Sequence, residues 1–233
     1  MSAAMTFHLR RARVPVVAGA LFLVLLAKPA WCQETTGGFA KVGGMAGVTF
    51  VPGFTFDGLT FDGETYYKEI GGEEVSFLPR LDKKDLIRTM VGFHGRQASL
   101  EVSYDRTQHT GTFVEFPLET KFQAINVDSR FFFLTRTRFQ PHMVLGGSFP
   151  WMSIKNGSFL DDKFGDARWR GYGLNLEPGV TVFPHHRIGV GVGYLYRAIW
   201  FDRTTGVSNR LFYLKPKFRE TSSSLVLSGM VIF

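Results

Sequence analysis

Cysteine is nearly absent: Cys32 is the single one in 233 residues. A scaffold stapled by disulfides is therefore excluded. Long apolar runs are missing too. After residue 33 no stretch of eighteen apolar residues occurs, so no membrane-spanning helix is expected there. Helical periodicity is also poor, because glycines and β-branched or aromatic residues interrupt every window. No repeat, low-complexity tract or internal domain boundary divides the chain. Even the formal charge of +7 shrinks on inspection. Residues 1–32 hold Arg10, Arg11, Arg13 and Lys28 and no acid, and without them 23 basic residues face 20 acidic ones, or +3. That balance removes nucleic acid as a partner.

What the chain does have is phenylalanine (24) and glycine (26), a composition of strands and turns. It opens on three arginines, a 14-residue apolar run over 14–27, and Ala30 and Cys32 as small residues around a cleavage point. This is the order of a secretory signal peptide, too short to span a membrane. Cleavage is expected after Cys32, leaving 33–233 as one domain without cysteine. Retention and acylation of Cys32 is the alternative, and Trp31 just before it speaks against that.

Period 2 recurs beyond the signal. In 86–95, Ile87, Thr89, Val91 and Phe93 share a face; in 98–106, Leu100, Val102 and Tyr104 do. A turn at Arg96 and Gln97 pairs Phe93 with Leu100, Val91 with Val102 and Arg88 with Asp105, which matches apolar face to apolar face. Strands 172–183 and 188–201 behave alike. A connection over 183–187 pairs Val182 with Ile188, Val180 with Val190 and Leu176 with Tyr194. Eight strands are expected: 38–50, 86–95, 98–106, 120–133, 141–151, 172–183, 188–201 and 222–233. Long connections (51–85, 107–119, 152–171, 202–221) alternate with short ones (96–97, 134–140, 184–187). This is the organisation of an eight-stranded antiparallel up-and-down transmembrane β-barrel, with short periplasmic turns and long outer loops. A further hairpin within 51–85 would make ten strands.

Composition decides which face points outward. The polar face holds Lys41, Arg88, Glu101, Asp128, Arg130, Glu177 and Arg197, four bases against three acids, with Asn126, Asn175, Ser99, Ser148 and glycines. A soluble exterior carries many more charges. A small barrel interior holds a few, and holds them paired. The apolar face carries Tyr104, Phe149, Trp151, Tyr194, Tyr196 and Trp200 toward strand ends, as expected of interfacial girdles. Turned inside out, the same pattern would give a secreted, lipocalin-like binding barrel.

The chain stops on an apolar face of Leu225, Leu227, Gly229, Val231 and Phe233. This resembles the terminal assembly signal of bacterial outer-membrane proteins. Residues 140–147 and 176–183 look like strand openings in the outer-membrane protein A, W and X-like barrels. The resemblance spans about 38–233. It implies export to the outer membrane, recognition by the barrel-assembly machinery, and a monomer among outer-membrane lipid and lipopolysaccharide. No peptidoglycan-binding domain is expected after the barrel, and no loop motif matches that carries a ligand site.

No catalytic, cofactor or metal set is expected. Neighbouring His185 and His186 chelate poorly in an extended chain. The carboxylates of 161–166 lack the spacing of a calcium loop. Lipid A-modifying barrels need a serine with a histidine base, and His109 is the one base expected near the outer end. The function expected is structural or surface-interactive, with basic residues of 202–221 facing lipopolysaccharide phosphates. A small passive channel is the alternative.

Overall fold

The computed structural model describes residues 38–56, 67–70, 73–76, 80–81, 84–113, 116–155, 167–205 and 218–233. The expected signal segment 1–32, the acidic stretch 161–166 and the basic positions 206–217 lie outside them. Alternation of apolar and polar residues produces strands that expose one side chain and bury the next. β1 (Gly43–Phe54) is followed by three short strands, β2 (Tyr67–Ile70), β3 (Glu73–Ser76) and β4 (Arg80–Leu81). Then come β5 (Lys84–His94), β6 (Ala98–Phe113), β7 (Phe116–Phe132), β8 (Phe139–Lys155), β9 (Ala167–His185), β10 (Ile188–Thr205) and β11 (Phe218–Ile232).

β1 and β5 to β11 pair in sequence, all antiparallel, and β11 returns to β1. The sheet therefore closes as an eight-stranded barrel and leaves no free edge. The additional residues before β5 do not add barrel strands: β2 and β3 pair with each other, and β4 extends alongside β6 at Arg80–Thr112. The register fixes the stagger. Partner by partner it runs Gly189, Met230, Gly47, Met90, Ser103, Asn126, Ser148 and Gly173, then meets β10 again at Ile199. The circuit climbs ten residues along β10, from Gly189 to Ile199. Such a stagger in eight strands corresponds to a tilt of roughly 40°.

The β5–β6 hairpin has the register expected from its faces, with Phe93 opposite Leu100, Val91 opposite Val102 and Arg88 opposite Asp105. The β9–β10 hairpin differs from expectation. Val190 faces Val182 and Tyr196 faces Leu176, a two-residue slip from the expected pairing, because His186 and Arg187 alone form the turn and a bulge follows Ile188. A slip of two keeps every side chain on its face, so face matching cannot detect it. The strands are also longer than expected at the end away from the short turns. Of the expected connection 107–119, residues 107–113 and 116–119 are strand, with β6 and β7 still paired at Phe113 and Phe116.

Outside, Val190, Val192, Tyr194, Val91, Val102 and Leu227 are exposed; inside, Arg88, Glu101, Asp128, Arg130, Glu177 and Arg197 are buried. The interior is not uniformly polar, contrary to the sequence-based expectation. Near the short turns Met45, Met90, Phe183, Met230 and Ile232 form an apolar plug, with Ala40 and Phe39 against it. Near the other end Val51, Phe54, Leu86, Phe122, Met152, Trp169, Leu195, Ile199 and Phe201 form a second apolar layer. The charges lie between the two. The stretch ahead of β1 is tied to the short turns, with Phe39 N donating to Thr135 O at 2.9 Å and Lys41 N to His186 O at 2.8 Å.

Candidate functional site

The central belt is built by inward positions of β5 to β10. Asp105 on β6 is its hub. Its carboxylate accepts from Arg88 Nε at 2.7 Å and from Arg197 Nη2 at 2.6 Å, and none of it is exposed. Arg88 also lies 4.0 Å from Asp128 and 3.8 Å from Glu177. Closer to the short turns, Arg130 grips Glu101 with both Nε (2.8 Å) and Nη2 (3.1 Å), a fork-to-fork pair, while Ser99 donates to the same carboxylate at 2.6 Å. Amides complete the belt: Arg197 Nε donates to Asn175 Oδ1 at 2.9 Å, and Asn175 Nδ2 to Asp128 Oδ1 at 2.9 Å. Paired charges with further hydrogen bonds are what a dry interior tolerates.

Two small residues make room. Gly146 faces Asp128 across β7–β8, and a Cβ there would overlap the Asp128 carboxylate. A Cβ at Gly173 would meet Ser148 Oγ. The glycines of the polar face thus mark where long side chains cross the barrel, beyond their turn-forming role.

Six of the seven residues expected in the interior lie together in this belt. Lys41 does not. It precedes β1, is half-buried at the short-turn end and makes no ion pair among the described residues. Sequence reasoning paired Arg88 with Asp105 yet left Asp105 out of the network; its inward position opposite Arg88 was the signal. His142 was missed as well. It contacts Arg130 Nη1 at 3.1 Å and lies 3.8 Å from Glu177. Arg197 links belt to layer, with its guanidinium 5.9 Å from the Phe122 ring centre.

The remaining histidines take other places. His109 is fully buried inside the barrel, 6.1 Å from the Phe54 ring, and so does not face the outer surface as a base would. The His185 and His186 rings lie 3.9 Å apart, tilted by 39°, at the last short turn. The His186 ring titrates below the ordinary histidine range, first through lost hydration, then through repulsion from His185, Arg187 and Lys41. Among the described residues no three His, Cys, Asp or Glu side chains converge as a metal set. His94 sits in the apolar plug, 4.9 Å from Phe132 and 5.8 Å from Phe183, with neither ring nitrogen hydrogen-bonded. An unmade buried hydrogen bond is costly, so His94→Phe should stabilise the barrel by about 1–3 kcal/mol. The check is the temperature at which folded protein converts to the unfolded band on a gel; an unchanged or lower temperature contradicts it.

Outside, the aromatics divide by height. Phe149, Trp151 and Trp200 lie toward the long-connection end, and Trp200 stacks on Tyr172 at 5.5 Å, a member the sequence reading did not include. Tyr194 and Tyr196, opposite Leu225 and Ser223, lie mid-strand instead. Tyr104, opposite Thr89 and Ile125, also lies mid-strand, and its hydroxyl meets the Gln123 amide. Gln123 in turn accepts from Trp151 Nε1 at 2.9 Å. A pocket of about 390 Å³ opens there, lined by Gln123, Trp151, Ser153, Arg168 and Arg170.

No protein-family model matches the chain, and no curated protein matches it. Similar solved structures include three barrels. Neisserial surface protein A superposes with a TM-score of 0.52 at 14% identity, over 82% of this chain and 96% of that one. The outer membrane protein OprG from Pseudomonas aeruginosa gives 0.48 at 11% identity, over 84% and 99%. The N-terminal β-barrel domain of Pseudomonas aeruginosa OprF gives 0.42 at 10%, over 82% and 99%. The chain has the all-β, closed eight-stranded fold of small bacterial outer-membrane barrels.

Proposed function

We propose that the protein is a sealed outer-membrane barrel, exported on its 1–32 signal. It acts as a structural scaffold that holds its outer rim and loops toward lipopolysaccharide or other surface ligands. The observation that carries this reading is the closed interior. A belt of paired charges lies between two apolar layers, which supports a lumen without a continuous path for water or ions. Eight strands leave a lumen that side chains just fill. The exposed apolar face, from Phe93 and Phe139 near the short turns to Phe149 and Tyr172 at the other end, supports burial in lipid. The outward face of β11, with Leu225, Leu227, Gly229, Val231 and Phe233, is the face we assign to assembly by the outer-membrane machinery of the cell.

The test is a membrane fraction run on a denaturing gel with and without boiling, followed by planar-bilayer recording of the purified protein. A mobility shift on heating and an absence of conductance steps are expected. Discrete steps would replace the scaffold by a channel. Recovery in the soluble fraction without a shift would mean that the barrel is not in a membrane.

A further inference from the structure

Three arginines crowd the outer surface at the edge of the upper aromatic band. Arg170 on β9 stands directly opposite Arg203 on β10, and Arg168 lies two residues further along the same face of β9. All three are exposed and, among the described residues, none makes a hydrogen bond or ion pair through its side chain. Like charges directly opposite one another repel across a strand pair. Asp202 adjoins Arg203 at the bulge yet pairs with none of them. Beside them lies the pocket of about 390 Å³, where Trp151 faces Arg170 across β8–β9. A cluster of unpaired guanidiniums next to an indole held at a lipid boundary suits an anion that carries its own apolar tail. Guanidinium forks match phosphate oxygens, and tryptophans of such bands favour the level where acyl chains end.

We propose that this cluster is a binding site for a phosphorylated lipid of the outer leaflet, a glycolipid headgroup of the lipid A kind, with the phosphate shared by Arg170 and Arg203 and flanked by Arg168. The site rests on the outer-membrane reading and deepens it. It places the lipopolysaccharide contact on the barrel wall, rather than only in the connection between β10 and β11. The repulsion between Arg170 and Arg203 is relieved when the phosphate lies between them, so the bare barrel holds the pair at a cost that the lipid removes.

The experiment uses the full-length barrel in detergent and follows its heat-unfolding midpoint as diphosphoryl lipid A, fully dephosphorylated lipid A or inorganic phosphate is added. Diphosphoryl lipid A should raise the midpoint of the wild type; the other two should not. Arg203→Glu should form a pair with Arg170 and unfold no earlier than wild type in detergent alone, yet its response to lipid A should weaken roughly tenfold or more in concentration. Arg187→Ala removes one positive charge from the short turn at the opposite end and should leave the response intact. An equal response of wild type and Arg203→Glu, or none from wild type, overturns the site. An equal response to inorganic phosphate overturns its assignment to a lipid. Either result leaves the membrane reading standing, because the heating shift and fractionation test that reading alone.

Discussion

Replacing Asp105 by leucine should destabilise the barrel by about 3–5 kcal/mol, the largest effect expected of any single change in the charged belt. The carboxylate is unexposed and holds two arginines, Arg88 at 2.7 Å and Arg197 at 2.6 Å. Arg88 keeps Asp128 and Glu177 at 4.0 and 3.8 Å. Arg197 keeps hydrogen bonds to amides alone, Asn175 at 2.9 Å and Asn126 at 3.4 Å, with Asp128 reached only through Asn175. The cost therefore falls mainly on Arg197, a cation left in a closed interior without an ion-pair partner. This assigns a sign to the double variant: Asp105→Leu with Arg197→Met should be more stable than Asp105→Leu alone, because it removes the stranded charge. Urea unfolding of the barrel in lipid vesicles measures both. A single variant within 1 kcal/mol of wild type, or a double variant no better than the single, would show that water reaches the belt.

The same residues show what was legible in the sequence. Period 2 and the matching of apolar faces identify eight strands and the β5–β6 register, because one face of each strand is nearly free of charge. The two-residue slip in β9–β10 was not legible, since period 2 is blind to it and the turn residues His186 and Arg187 carry no glycine or asparagine signal. Strand ends toward the long connections were read too short because residues 106–119 mix polar and apolar side chains on both faces. The belt was legible because each charge interrupts an otherwise small or apolar face. Lys41 was misplaced because alternation was carried past the start of β1. Asp105 was passed over although its partner was identified. The arginine cluster was out of reach. Arg168 and Arg170 precede the expected start of β9, and the opposition of Arg170 to Arg203 depends on the bulge between Phe201 and Arg203.

Trp169 gives the second large effect and separates the two faces of the wall. A sequence reading that assigns the interior to charge and glycine has no place for an inward tryptophan. Yet Trp169 is fully buried among Phe122, Met152 and Phe201, while its neighbours Arg168 and Arg170 are exposed. Trp169→Ala should cost about 3–5 kcal/mol through the cavity it leaves, a fall of roughly 6–20 °C in the unfolding midpoint for a chain of this size. Trp151→Ala, on the opposite face of the wall, loses its hydrogen bond to Gln123 at 2.9 Å but leaves no buried cavity, and should cost only about 0.5–1.5 kcal/mol. If the charged belt alone held the barrel together, the two tryptophans would behave alike. A large difference requires the apolar layer around Trp169 to be packed as tightly as a soluble core. That packing would also close the lumen, so a destabilised Trp169→Ala and an absence of conductance steps from the wild-type barrel are two expected readings of one structural feature.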